Sequence, residues 1–187
     1  MAMATITDAE LLERCTDVFR TYGFEGATMT RLSAATGLEK ASLYHRFPGG
    51  KKEVALAVAA GVMKWFTANV FDVLKQPGPP QKRLRAAADQ LRIFYADGSK
   101  SCILDLLSIP AGGPELAAGL KGALQAWQKA FAEVSRESGY SAKEATRRAE
   151  DAIIRIEGSL VLSRVLGDSK PFDRALDELS ATLIRSA

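Results

Sequence analysis

Histidine and cysteine are scarce in this sequence, which has one histidine and two cysteines among its 187 residues. Cys15 and Cys102 stand far apart and form no metal-binding spacing, and His45 alone cannot supply a zinc site or a histidine-based catalytic set. Paired carboxylates, a nucleophile beside a base and a phosphate-binding glycine spacing are also missing. We therefore expect no metal, no cofactor and no enzymatic activity, which disfavours the alternative of an all-helical enzyme.

Long apolar segments are missing as well. No apolar run approaches the length of a membrane span, and the N-terminus has neither the basic nor the apolar block of a signal peptide. The hydrophobic fraction of 47% is nevertheless ample for a packed core. These features predict a cytoplasmic protein without a membrane partner, in which both cysteines are reduced.

Strand patterns are absent too, because β-branched residues do not alternate with polar ones. Apolar residues instead recur at intervals of three and four, which predicts an all-α protein of about nine helices. Ser141 followed by Glu144 is typical of a capping box at a helix start. Predicted breaks between helices fall at residues 48–50, 76–80, 97–101, 110–114, 139–140 and 167–171, and the last helix is expected over 172–186.

Positive charge is only slightly in excess, with 25 Lys and Arg against 22 Asp and Glu, for a formal net charge of +3. Its distribution is more informative than its total. Between residues 28 and 52 the single anion is Glu39, and the cations are Arg31, Lys40, Arg46, Lys51 and Lys52. The preceding segment is mainly acidic. A local basic segment of this kind favours a nucleic-acid partner more than the net charge does.

Residues 28–47 predict two short helices joined by a tight turn. Leu32 on the first helix and Leu43 on the second form an apolar underside, and Gly37 stands where the first helix must end. Short polar and cationic side chains follow on the second helix. This is the pattern of a helix-turn-helix, whose second helix enters the major groove of DNA.

The same segment resembles the tetracycline-repressor (TetR) family of one-component transcription regulators. The resemblance covers about the first third of the chain. Glu39 stands where a serine is more usual in the family, and Ala41 where a glycine is more usual. The junction Phe47-Pro48-Gly49-Gly50-Lys51 resembles a subgroup with one extra glycine. The matching residues are Tyr22-Gly23-Phe24, Thr28-Met29, Leu32, Gly37-Leu38, Lys40-Ala41-Ser42-Leu43-Tyr44, Phe47 and Lys51.

This resemblance implies a homodimeric, ligand-responsive repressor that a small apolar inducer releases from a palindromic operator. Residues 1–52 would be the DNA-binding domain and residues 53–187 the ligand-binding and dimerisation domain. The alternative of a helical protein-interaction module leaves the basic second helix unexplained. The residues expected to contact double-stranded DNA are Thr28, Thr30, Lys40, Ser42, Tyr44, His45, Lys51 and Lys52.

The C-terminal helices carry candidates for a ligand pocket and for a dimer interface. Core filling is the alternative for each pocket candidate, and burial in a monomer's core is the alternative for the interface candidates. As a group the pocket residues favour a flat apolar or aromatic inducer. They are Trp65, Phe66, Phe94, Cys102, Trp127 and Phe131. The predicted interface residues, on helices that form a four-helix bundle in the family, are Ile153, Ile156, Leu160, Leu176 and Leu183.

Overall fold

The computed structural model of the protein describes residues 6–108 and 113–185. Within these ranges the chain contains α-helices, one π-helical segment over Thr67–Phe71 and no β-strand, which confirms the predicted all-α class. The helices are α1 (Asp8–Gly26), α2 (Met29–Thr36), α3 (Lys40–Arg46), α4 (Lys51–Phe66), α5 (Asp72–Leu74), α6 (Pro80–Tyr95), α7 (Ile103–Leu107), α8 (Pro114–Glu137), α9 (Ala142–Leu166), α10 (Lys170–Asp177) and α11 (Leu179–Leu183).

More helical segments are present than expected, because two predicted helices are divided. The π-helical segment separates α4 from α5, and the final predicted helix is split into α10 and α11. Three expectations concern residues outside the described ranges. They are the N-terminal segment examined for a signal peptide, the predicted break at 110–112 and the last residue of the final helix.

Two helix starts carry complete capping boxes. The Thr7 hydroxyl accepts a hydrogen bond from the Glu10 backbone N–H, and the Ser141 hydroxyl accepts one from that of Glu144, as predicted for Ser141. Hydrogen bonds donated by the Thr7 backbone and hydroxyl lower the pKa of the Glu10 carboxyl below 4.5. Hydrogen bonds from the Ser141 hydroxyl and backbone lower the pKa of Glu144 in the same way. Both carboxylates therefore stabilise their helix starts at neutral pH.

The chain divides into two compact units. The first unit comprises Met1–Met63 and Ile103–Lys121, so it is larger than the predicted DNA-binding domain of residues 1–52. Its core joins α1, α2, α3, the first part of α4 and α7, with Phe19, Leu32 and Leu43 fully buried. The second unit comprises Lys64–Cys102 and Gly122–Ala187, and contains α6, α9, α10 and α11.

The helical span Lys51–Leu74 is long and apolar enough to cross a membrane by length and composition alone, contrary to the expectation from the sequence. The core helices of water-soluble proteins meet the same criterion. Val54 and Val58 on this span belong to the core of the first unit, and Phe66 and Val70 are buried in the second. Part of the apolar surface of the span is therefore used in packing.

Candidate functional sites

The helix-turn-helix forms as its sequence predicts. Thr28 caps α2, and its hydroxyl accepts a hydrogen bond from the Arg31 backbone N–H at 3.2 Å. Helix α2 ends at Gly37, which adopts a φ of +73° in the left-handed region. Leu32 and Leu43 are completely buried, so the undersides of α2 and α3 are fixed to the first unit's core. The remaining faces of α3 are left for solvent or a partner.

The outer face of α3 presents the polar side chains predicted to contact DNA. Tyr44 is 49% exposed, and the other candidates on α3 are exposed as well. Glu39, just before α3, is exposed, and its side chain makes no capping hydrogen bond. The exposed members of the predicted set are Thr28, Thr30, Lys40, Ser42, Tyr44, His45 and Lys52.

The junction between α3 and α4 depends on its two glycines. Gly50 has a φ of +63°, and its N–H donates to the Phe47 carbonyl at 2.8 Å. A Cβ at Gly50 would lie 3.5 Å from Cε1 of Tyr44, so the ring of Tyr44 packs beside this turn. The Gly49 N–H donates to the Glu53 carboxylate at 2.7 Å. These contacts fix the direction in which α4 leaves α3.

Lys51 differs from the other predicted DNA contacts, because its ammonium group is held by the protein itself. Nζ lies 4.4 Å from the centre of the Phe24 ring and 3.6 Å from the Glu25 carboxylate, and it donates to the Glu25 carbonyl at 3.4 Å. Lys52, the next residue, is exposed and has no hydrogen bond or ion pair with the described part of the chain. The structure therefore leaves Lys52 available to a phosphate and anchors Lys51.

Two further cations of this segment were absent from the predicted site. Arg31 lies over the Tyr22 ring, 4.1 Å from its centre, and donates to the Gly26 carbonyl. Arg46 donates to the Asp8 carboxylate at 2.9 Å. Both arginines thereby connect the helix-turn-helix to α1. Their partners lie 5 to 38 residues away in sequence, so helical periodicity gave no signal for these pairs.

The predicted pocket residues form an aromatic cluster in the second unit. Ring centres are 4.6 Å apart for Trp65 and Phe94, 5.0 Å for Phe66 and Phe94, and 5.2 Å for Phe66 and Trp127. Phe131 extends the cluster at 5.9 Å from Trp127. The structure therefore brings these predicted aromatic residues together, although they come from α4, α6 and α8.

Tyr95 is a member of the cluster that the predicted set omits. Its ring centre is 4.9 Å from that of Phe94, and its hydroxyl donates to Cys102 Sγ at 3.6 Å. Through this contact Cys102, the remaining predicted pocket residue, joins the cluster. Phe66, Trp127 and Phe131 are buried, whereas Trp65 and Phe94 are partly exposed. The cluster is thus packed ring on ring, with its edge at the surface.

Two surface grooves of the second unit lie away from this cluster. One has a volume of about 590 Å³ and the other about 270 Å³, and Ile154, Arg155 and Glu178 line both. Arg155 and Glu178 form an ion pair with an N–O distance of 2.9 Å between them. None of the predicted pocket residues lines either groove.

The predicted dimer-interface residues are buried within a single chain, which is the alternative left open for them by the sequence. Helix α9 packs on α10 and α11 within a single chain, and this packing covers the apolar stripe chosen from the sequence. Each of the five residues is at most 6% exposed, so a second copy cannot reach them in this conformation. They are Ile153, Ile156, Leu160, Leu176 and Leu183. The other apolar side of α9 is exposed and consists of Ile154, Val161, Leu162, Val165 and Leu166.

Two family models match this chain, one in its N-terminal region and one in its C-terminal region. Residues 11–58 match the family described as bacterial regulatory proteins, tetR family. Residues 80–178, more than half of the chain, match the family described as transcriptional regulator LmrA/YxaF-like, C-terminal domain. These two matches contain the helix-turn-helix and most of the second unit.

Individual relatives agree with these matches. The HTH-type transcriptional regulator LmrA of Bacillus subtilis is 24% identical over 171 residues, which are 87% of this chain and 88% of that protein. The HTH-type transcriptional repressor AcnR of Corynebacterium efficiens is 42% identical over 50 residues, 27% of this chain and 26% of AcnR. A TetR transcriptional regulator from Legionella pneumophila shares the fold with a TM-score of 0.85 and 18% identity, covering 98% of this chain and all of that one.

The helix-turn-helix geometry and the family matches lead to the same assignment, and the relatives are regulators rather than enzymes. The chain belongs to the tetR family of bacterial transcriptional regulators and has an LmrA/YxaF-like C-terminal domain.

Proposed function

We propose that this protein is a ligand-responsive repressor that binds a palindromic operator as a homodimer and dissociates from it when a small apolar or aromatic inducer binds. The observation that carries the proposal is the fixed α3 helix, whose Leu43 is buried while Lys40, Ser42 and His45 are exposed. The matching AcnR segment belongs to a protein named as a repressor, which supports repression over activation. The proposed site of action is the cytoplasm, where operator DNA is accessible.

The proposed DNA contacts divide into base readers and phosphate binders. Lys40 and Ser42 begin the recognition helix, the part of a helix-turn-helix that reaches base edges, and Lys can donate to guanine O6 or N7. Tyr44 and His45 are suited to phosphates or base edges through the phenol and the imidazole. Thr28, Thr30 and Lys52 are suited to phosphates, which fix the position of the protein on DNA. We assign Lys51 to positioning of the α3–α4 junction.

The proposed dimer uses the exposed apolar side of α9 in place of the buried stripe. Val165 is 79% exposed and Ile154 61%, which is unusual for side chains of this kind on a single face. A palindromic operator presents two equal half-sites, so a protein that reads it needs two-fold symmetry. A second copy seated on this face would bury the exposed side chains and supply that symmetry.

The proposed inducer site is the aromatic cluster, and the proposed coupling element is the helical span Lys51–Leu74. Residues of this span up to Met63 belong to the first unit, and residues from Lys64 onwards belong to the second. Trp65 and Phe66 of the cluster lie on the same span. An inducer that binds one conformation of the span better than another shifts the population away from the DNA-binding conformation. We also propose that the junction Phe47–Lys51 marks a subgroup of the family.

A gel-shift assay with the DNA upstream of the protein's own gene tests the proposal. The wild-type chain should retard this DNA, and Lys40→Ala should weaken binding in a sequence-selective manner, by about 1–3 kcal/mol for a lost base contact. Lys143→Ala, which removes an exposed lysine at the start of α9, is the matched control and should bind as wild type. Failure to bind any sequence from a random DNA library would refute the proposal and favour the protein-interaction module.

A further inference from the structure

The indole of Trp127 is the part of the second unit that packing alone does not explain. The side chain is 1% exposed, and its Nε1–H has no hydrogen-bond acceptor among the described residues. Buried donors in native proteins almost always have a partner, because an unpaired one loses its hydration without compensation. The packing of Trp127 therefore retains a hydrogen-bond donor that the folded chain does not use.

Two other buried polar atoms for which no hydrogen bond is found, Arg83 Nε and Ser135 Oγ, differ from this one. Arg83 Nε belongs to a guanidinium whose other nitrogens donate to the Leu74 carbonyl and to the Glu137 carboxylate. Ser135 Oγ is a hydroxyl, which can rotate its hydrogen and can also accept. The indole N–H only donates, and the ring fixes its direction. A hydrogen-bond acceptor for the Trp127 N–H must therefore be supplied by a group that moves to it.

The surroundings of Trp127 restrict what this acceptor can belong to. Its ring neighbours are Phe66 and Phe131, both buried and both without polar side-chain atoms. A charged group placed there would be buried without a counter-charge, at a large cost in free energy. The fitting occupant is neutral and flat, so that it packs between rings as the aromatic side chains do.

A route to Trp127 leads through the partly exposed edge of the cluster. Trp65 and Phe94 form that edge, and Phe66 is in ring contact with both of them and with Trp127. Directly after Phe66 the backbone changes to the π-helical segment Thr67–Phe71. Such segments are rare and occur often at functional sites. The backbone irregularity thus lies next to the ring that separates the surface from the unpaired donor.

We propose that the second unit binds a neutral planar aromatic molecule carrying a carbonyl or ring-nitrogen acceptor, which accepts a hydrogen bond from Trp127 Nε1. The molecule inserts at Trp65 and Phe94 and displaces Phe66. This inference rests on the proposed function for the identity of the molecule as inducer, but the binding geometry is testable without DNA.

Two matched pairs of probes test it on the full chain: fluorenone with fluorene, and quinoline with naphthalene. Members of each pair share size and shape, and only the first member has an acceptor. Calorimetry should show about tenfold tighter binding of the first member, the effect of pairing a buried donor. Trp127→Phe keeps an aromatic ring and removes the N–H, so it should abolish the preference. Tyr140→Phe is the control and should retain it, because it removes a polar hydrogen from a ring that lies against Arg148, outside the cluster.

An independent readout is the indole N–H resonance of Trp127 in ¹⁵N-labelled protein, assigned from its loss in Trp127→Phe. It should move downfield with fluorenone and much less with fluorene. Equal affinities within each pair, an unmoved Trp127 resonance or binding of none of the four probes would overturn the inference. If fluorenone binds at Trp127 but operator DNA is retained, the inference stands and the proposed inducer role of the site fails. If DNA is released only by molecules that leave Trp127 unmoved, the repressor proposal stands and the inference fails.

Discussion

Neighbouring lysines at the start of α4 give the sharpest test of the proposed DNA surface. Lys51→Ala and Lys52→Ala remove the same charge from adjacent positions, so long-range attraction to DNA changes about equally. Lys52 is exposed and unpaired within the described part of the chain, whereas Lys51 is bound to Phe24 and Glu25. We therefore expect Lys52→Ala to weaken DNA binding and Lys51→Ala to lower the free energy of unfolding.

The magnitudes follow from these contacts. One lost phosphate contact lowers the slope of log affinity against log salt concentration by about 0.9, so Lys52→Ala should show that change with little effect on unfolding. Lys51→Ala loses a cation–π contact worth about 0.5–2 kcal/mol and an ion pair worth about 0.2–1 kcal/mol. Because Glu25 is largely exposed, the lower part of these ranges applies, and a loss of about 1 kcal/mol is expected.

Fluorescence anisotropy with labelled operator at several salt concentrations measures the slope, and urea denaturation measures the free energy of unfolding. Both variants are measured beside wild type in the same buffer. The reasoning is refuted if Lys51→Ala lowers the slope by about one while stability is unchanged. In that case the ammonium of Lys51 leaves Glu25 when DNA binds, and the contact seen in the free protein does not persist.

Three further predictions concern stability, assembly and thiol reactivity. Ala96 ends α6 in the left-handed region at φ +44°, where an alanine is strained, so Ala96→Gly should stabilise the protein by about 1 kcal/mol in urea denaturation. The control Ala86→Gly, at an exposed position in the middle of α6, should destabilise it by about as much, and equal effects of the two changes would contradict backbone strain at Ala96. Val165→Asp should give a folded monomer in analytical ultracentrifugation, while the comparably exposed Ile93→Asp stays dimeric; a dimeric Val165→Asp would place the interface elsewhere. Burial raises the pKa of the Cys15 thiol to about 11, so only about a thousandth of it is thiolate at pH 8. Cys15 should therefore resist Ellman's reagent until the chain unfolds, and rapid reaction in the folded protein would disprove this.

The helix-turn-helix was predictable because its determinants are local. Gly37 sets the turn, Leu32 and Leu43 set the buried sides, and all lie within a few turns of helix. The inward position of Lys51 was not predictable, since Phe24 and Glu25 precede it by 26 residues or more. The sequence shows that Lys51 is cationic, but only the tertiary packing shows which anion and which ring its side chain contacts.

Helix α9 shows the limit of periodicity more clearly. Its sequence has two apolar stripes, and both satisfy the rule for a buried helix face. The stripe through Ile153 and Ile156 faces α10 and α11, while the stripe through Ile154 and Val165 is exposed. Periodicity identifies both stripes but cannot rank them, because the choice depends on where later helices pack. The side of α9 that faces a second copy therefore stays a prediction, and burial within the chain favours the exposed stripe for that role.

The aromatic cluster raises a different question, because the residues expected to line a pocket are packed against one another. Phe66, Trp127 and Phe131 are almost completely buried, so a ligand among them must separate rings that are in contact here. The described conformation is then the closed one, and the apparent affinity of a ligand is reduced by the fraction of molecules in the open state. Because that cost depends on how tightly the rings pack, a change that loosens the cluster, such as Phe131→Leu, should raise ligand affinity even though it removes apolar contact area. Because the proposed function couples opening to loss of DNA binding, the same change should also lower the affinity of the ligand-free protein for operator DNA, and an unaltered DNA affinity in fluorescence anisotropy would contradict that coupling.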